Sequence, residues 1–157
     1  MGNTKELTVV QWHNSYSVGI KLVDEQHMKL IDLTNKLFQN CLESREQYTK
    51  VFLDTIHDAV DYIGYHFSTE ELIMKRINYP DLVAHKKEHT EFVREFLSRA
   101  NEFNSDNKMN TPLAFVYFLK DWVLRHIAVC DKKMGDYIIT MHKSGELKKL
   151  FPNSKKV

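Results

Sequence analysis

Apolar residues recur along most of this chain at alternating steps of three and four, the spacing that lines one face of an α-helix and lets it pack against others. Four segments show it. The first begins near Val23 and carries His27, Leu30, Thr34, Leu37 and Cys41 on its seam, with Ile31 and Phe38 widening it. The second, from about Glu46 to Arg76, reads Phe52, Ile56, Ala59, Ile63, His66, Glu70, Ile73 and Ile77. Asn78, Tyr79 and Pro80 then break the rhythm, because proline cannot continue a helix and biases the residue before it toward extended geometry. The third seam is Leu82, His85, His89, Phe92, Phe96, Ala100 and Phe103. A polar stretch from Asn104 to Asn110 reads as a loop, after which Thr111 and Pro112 suit a helix cap and first helical residue. The fourth seam runs Phe115, Leu119, Trp122 and His126, and resumes as Asp131, Met134, Ile138 and Met141.

These elements predict an all-α fold, an antiparallel up-down-up-down four-helix bundle with an N-terminal arm and a short C-terminal extension. A single domain over residues 1–157 is expected, with its core at about 10–142 and a tail at 143–157 that ends in a short helix or frays. One irregularity stands out in the fourth helix. The step from His126 to Asp131 is five residues, about 140° out of alignment on an ideal helix. A single inserted residue taken up as a π-type bulge would return both side chains to the same side.

Composition narrows the class. With 157 residues, 43% hydrophobic and 27% charged, and only five Gly and three Pro, the chain suits one helix-rich globular domain with a real core. A formal net charge of +1 gives no electrostatic reason to expect nucleic acid or an anionic membrane as a partner. Lys143, Lys148, Lys149, Lys155 and Lys156 make the tail locally basic, which reads as a solvated end. Cys41 and Cys130 are too few for a disulfide framework and fit a reducing compartment. The start, MGNTKELTVV, lacks the basic and apolar pattern of an export signal, and no run approaches membrane-spanning length, so a cytoplasmic location is expected.

The chemistry lies in the polar residues on the four seams. His27, His66, Glu70, His85, His89, His126 and Asp131 occupy positions where a bundle ordinarily buries carbon. For any one histidine, a hydrogen-bonded core imidazole is the simpler reading; for seven ionisable residues on four helices it is hard to sustain, because each loses hydration that only a cation would replace. The spacing of four places His66 with Glu70, and His85 with His89, on common faces. Imidazole suits iron, zinc, copper and nickel, carboxylates prefer harder ions and can bridge two, and the set exceeds the four ligands of one tetrahedral zinc. A pair of metal ions fits the count. His13, His57 and His142 fall off this pattern and read as surface or packing residues.

In its ordered motifs the sequence resembles the bacterial hemerythrins: VGIKLVDEQH ending at His27, HFSTEE from His66 to Glu71, the Tyr79-Pro80 turn, HKKEH from His85 to His89, and WVLRHIAVCD from Trp122 to Asp131. The resemblance spans roughly residues 10–142, and the fifteen-residue interval from Glu70 to His85 makes it specific. It implies two iron ions rather than manganese, cycling between the ferrous and ferric states, with His85, His89 and His126 on one and His27 and His66 on the other. Glu70 and Asp131 would bridge them beside an oxo or hydroxo group, leaving the second iron an open position for reversible binding of dioxygen.

That function implies a dry pocket, for which Leu30, Phe67, Trp122, Val123 and Ile127 are the candidates, although residues of these types at helical spacing are usually plain core. At Val123 many relatives carry the larger leucine, so access to the iron is expected to be looser here. Cys130 reads as a small buried hydrophobe, and Glu71 as a residue that could orient a ligand from outside. The expected role is a non-enzymatic oxygen carrier, store or scavenger. A di-iron peroxidase or oxidase is the alternative enzyme class, weakened by the lack of the Glu-x-x-His pairs of carboxylate-rich oxidases. A sensor is a further alternative, although no separate output module is visible.

Overall fold

The computed structural model describes residues 7–42, 45–102 and 111–150, the side chains of 45–49 excepted. Phe103, the expected loop at 104–110, Lys155 and Lys156 lie outside the described residues. Among the described residues the chain is all-α. Helices α1 (Lys21–Asn40), α2 (Arg45–Arg76), α3 (Leu82–Glu102) and α4 (Pro112–His126) form the bundle, and α5 (Lys132–Ser144) continues α4 through a π-helical turn at Ile127–Asp131. A five-residue helix, α6 (Glu146–Leu150), follows. Helix α1 packs on α2 and α4, and α3 joins α2 to α4, which closes an antiparallel four-helix bundle.

The helix ends follow from local chemistry. Asn78 takes a positive φ of 53°, which asparagine tolerates better than most side chains. It lets Tyr79 N–H reach the carbonyl of Met74 at 2.9 Å and Asn78 N–H that of Lys75 at 3.3 Å, so orphan carbonyls at the end of α2 are satisfied before Pro80 turns the chain. The Thr111 hydroxyl accepts from Ala114 N–H at 3.2 Å, with Pro112 opening α4.

The seams form a single apolar core. At one level Phe115 packs edge-on against Phe52 and Phe96, with ring centroids 6.2 Å and 4.9 Å away. Nearer the polar cluster Trp122 stacks on Phe92 at 3.8 Å. Removing a buried phenylalanine from such a layer costs about 3–5 kcal/mol in comparable cores. The N-terminal arm is strapped to this body by polar contacts. Asn35 accepts from Val9 and Val10 N–H at 3.0 Å and 3.1 Å and donates to the Val10 carbonyl at 2.8 Å. Further along, Asp24 accepts from Ser17 Oγ and Val18 N, and Lys132 donates to the Ser17 carbonyl at 2.9 Å. Val18 passes so close to Gly135 that a Cβ there would collide with its carbonyl oxygen.

Candidate metal centre

All four bundle helices and the π turn deliver a polar side chain to one buried point. His27 comes from α1, His66 and Glu70 from α2, His85 and His89 from α3, His126 from α4, and Asp131 from the π turn. Each is buried, and Glu70, Asp131 and His27 have no exposed surface at all. The π turn resolves the step of five: by adding one residue to the helical circuit it brings Asp131 Oδ1 to 3.2 Å from His126 Nε2.

The two carboxylates divide their oxygens between two groups of imidazoles. Glu70 Oε1 faces His66 and His27, whose Nε2 atoms are 3.6 Å and 3.8 Å away, while Oε2 faces His89 at 3.2 Å and His85 at 3.5 Å. Asp131 Oδ2 faces His27 at 3.1 Å, and Oδ1 faces His85 at 3.1 Å as well as His126. The Nε2 atoms of His85, His89 and His126 themselves converge, with His126 3.1 Å from each of the other two. Two overlapping sets result, one of His85, His89 and His126 and one of His27 and His66, with Glu70 and Asp131 common to both.

Burial and charge explain why this arrangement demands a cation. Both oxygens of Glu70, both of Asp131 and both ring nitrogens of His27 are buried without a hydrogen-bond partner. Leaving a buried charged group so costs more than the roughly 1–3 kcal/mol of an ordinary orphan. Although burial favours the neutral acid, the surrounding imidazoles hold Glu70 and Asp131 well below the ordinary carboxylate range. Burial also pulls the imidazoles down, and for His66 it prevails, placing the ring at about 4. Against the same burial, Asp131 and Glu70 lift His27 and His85 to about 9. Asp131, with Cys130 adding a smaller push, lifts His126 to about 10. The negative charge that attracts protons to these rings is what divalent cations would displace them for.

Outside the cluster, neighbours set the orientation of individual rings. His66 Nδ1 donates to Gln26 Oε1 at 2.9 Å, and the Gln26 amide is itself held by Thr69 at 3.2 Å. His89 Nδ1 lies 3.3 Å from Glu71 Oε1, whose other oxygen takes Lys86 Nζ at 2.8 Å. Glu71 thus sits where an orienting residue is expected. Gln26 was not legible as one, since its partner is far away in sequence and only its position beside His27 hints at a role. His13, His57 and His142 are exposed and belong to neither group of converging side chains.

Of the expected pocket residues, Leu30, Phe67, Val123 and Ile127 are buried in the shared apolar core, and Trp122 is half-buried against it. Phe67 lies flat on His89, centroid to centroid 3.7 Å, and Trp122 stacks on His126 at 4.4 Å. These two rings therefore cover two of the group of three histidines, His89 and His126. Cys130 departs from expectation: it is partly exposed rather than buried.

Fold and donor set together define a metal-binding helical bundle in which carboxylates shared between two imidazole groups form the centre. Comparison with known proteins gives that class a family. The family model described as the Hemerythrin HHE cation binding domain matches residues 18–138, and the chain belongs to this family. It is 29% identical over 131 residues to the bacteriohemerythrin of Clostridium acetobutylicum, covering 80% of this chain and 98% of that one. The bacteriohemerythrin of Stenotrophomonas maltophilia is 26% identical over 132 residues, covering 84% and 83%. A crystal structure of wild-type hemerythrin aligns with a TM-score of 0.73 at 25% identity, over 82% of this chain and 96% of that one. No described helix is long and apolar enough to cross a membrane.

Proposed function

We propose that the protein holds two iron ions and binds dioxygen reversibly, acting as a store, carrier or scavenger rather than through turnover. The observation that carries this reading is the division of Glu70 and Asp131, each offering one oxygen to each imidazole group. His85, His89 and His126 would hold one iron, His27 and His66 the other, and an oxo or hydroxo bridge would complete the pair. Five histidines and two carboxylates leave the second iron one protein ligand short of the first, which is where dioxygen would enter. When bound, a ferrous pair supplies the two electrons that dioxygen takes up and returns on release.

The chain's own residues supply the conditions for reversibility. Imidazole Nε2 lone pairs are aimed inward because Gln26 and Glu71 engage the outer nitrogens of His66 and His89. Phe67 and Trp122 shield His89 and His126 with carbon. Leu30, Val123 and Ile127 keep the surrounding core apolar, which limits the water and protons that would drive the centre to the ferric state. Free Cys41 and Cys130 accord with a place in the cytoplasm.

The test is optical and compositional. Reduced protein exposed to air and then degassed is expected to cycle between coloured and colourless forms, with two iron per chain. His66→Ala and His89→Ala are each expected to fall well below two. Unchanged iron in both variants would refute the ligand assignment, and colour lost irreversibly under turnover with a reductant would place the protein among the di-iron oxidases or peroxidases.

A further inference from the structure

Behind the central cluster lies a second group of polar side chains. Ligand-type atoms of Glu88 on α3, of His126 and of Cys130 in the π turn all lie within 4.8 Å of one another. Nε2 of His126 faces the centre, 3.2 Å from Asp131 and 3.1 Å from both His85 and His89. Its Nδ1 is therefore the atom left to this second group. That nitrogen is buried and has no hydrogen-bond partner, whereas the corresponding atoms of His66 and His89 meet Gln26 and Glu71. Glu88 and Cys130, both partly exposed, line a surface cavity of about 220 Å³ together with His85 and Lys133.

We propose that Cys130 and Glu88 close a hydrogen-bond relay behind His126: turning about its own Cα–Cβ bond, Cys130 brings its sulfur from within 4.8 Å to accept the Nδ1 hydrogen that is otherwise without a partner, and its thiol gives its own hydrogen to the Glu88 carboxylate. The relay fixes which nitrogen of His126 faces the metal and connects the buried three-histidine group to the cavity. A thiol suits this place because it both accepts and donates, while staying small enough for the π turn. Cys130 and Glu88 are positioning residues, since neither reaches the centre itself. The relay extends to His126 the arrangement seen at two other rings, where outer partners orient the imidazole, a neutral amide for His66 and a carboxylate for His89, while His27 Nδ1 stays without a partner. The inference rests on the di-iron reading for its effect on iron, and on the His126 tautomer alone for its existence.

The experiment uses full-length protein labelled with ¹⁵N-histidine, comparing wild type with Cys130→Ala, Cys130→Ser and Glu88→Ala. Two readouts are taken: solvent exchange of the His126 Nδ1–H by NMR, and iron release to a chelator. Cys130→Ala is expected to speed both, with iron loss from one of the two positions faster by about tenfold. Cys130→Ser, whose hydroxyl accepts and donates, is expected to restore both, and Glu88→Ala to lie between. An Nδ1–H equally protected in wild type and Cys130→Ala, or a His126 hydrogen carried on Nε2, would overturn the relay. So would a third metal ion per chain lost on Cys130→Ser, which would make the cluster a metal site instead. Wild type with fewer than two iron but a protected Nδ1–H would overturn the di-iron reading and leave the relay standing.

Discussion

Gln26 Oε1 lies 2.9 Å from His66 Nδ1, so the imidazole carries its hydrogen on the outer nitrogen and presents a bare Nε2 to the centre. Gln26→Ala strands that N–H in a buried site at a cost of about 1–3 kcal/mol and frees the ring to turn. Metal affinity is expected to fall by about 10–100-fold, as it does when such outer partners are removed elsewhere. Gln26→Glu keeps an acceptor and is expected to retain metal better. Iron release to a competing chelator measures both, and a Gln26→Ala protein that releases iron at the wild-type rate contradicts the role.

How much of this was visible in the sequence depends on the length of chain over which each signal is written. The seven cluster residues were legible because helical spacing is local, and the five-residue step from His126 to Asp131 signalled the π turn for the same reason. Gln26, Asn35 and the seat of Val18 on Gly135 were not legible, because each partner lies on another element. Gln26 meets His66 forty residues away, and Asn35 meets Val9 and Val10 across twenty-six and twenty-five. Side-chain type alone reads Cys130 as buried, but burial is decided by where the π turn places it, and there the neighbour of the inward-facing Asp131 reaches the surface.

The arm's close passage makes Gly135 sensitive. A Cβ there would collide with the Val18 carbonyl oxygen, a backbone atom that cannot rotate aside. Gly135→Ala is expected to destabilise the fold by about 1–3 kcal/mol, the usual cost of overpacking. Gly64, inside α2 with nothing within 4 Å of its would-be Cβ, is the matched control. Gly64→Ala is expected to add roughly 0.8–1.0 kcal/mol through helix propensity. Thermal or denaturant unfolding compares the two, and equal shifts of the same sign would dismiss the arm contact.

Cys41 supplies a pH signature. Burial raises its thiol from the ordinary 9.0 to about 11, and its Sγ donates to the Leu37 carbonyl at 3.2 Å. The folded thiol keeps its proton after the unfolded one has lost it. Its contribution to stability is therefore intact below about 9 and declines as pH rises toward 11. Iodoacetamide at pH 8 meets only about one thiolate in a thousand at this position. Mass spectrometry of folded protein is expected to find Cys41 unmodified at neutral pH and labelled only as pH approaches 11. Rapid labelling of folded protein at pH 7.5 would show the thiol to be unshielded.

Val123 tests the pocket assignment directly. It is buried in α4, one residue beyond Trp122 and three before His126, in the core that also holds Leu30, Phe67 and Ile127. If this part of the core keeps water from the iron, one more methylene should tighten it. Val123→Leu is expected to slow conversion of the air-exposed protein to the ferric form by several-fold, at a stability cost near the low end of the ~1–3 kcal/mol of overpacking. Val123→Ala is expected to speed that conversion, because the cavity it leaves admits solvent more readily. The decay of the coloured form in air, followed optically for wild type and both variants, orders the three. Identical rates would separate Val123 from control of the centre and confine its role to packing.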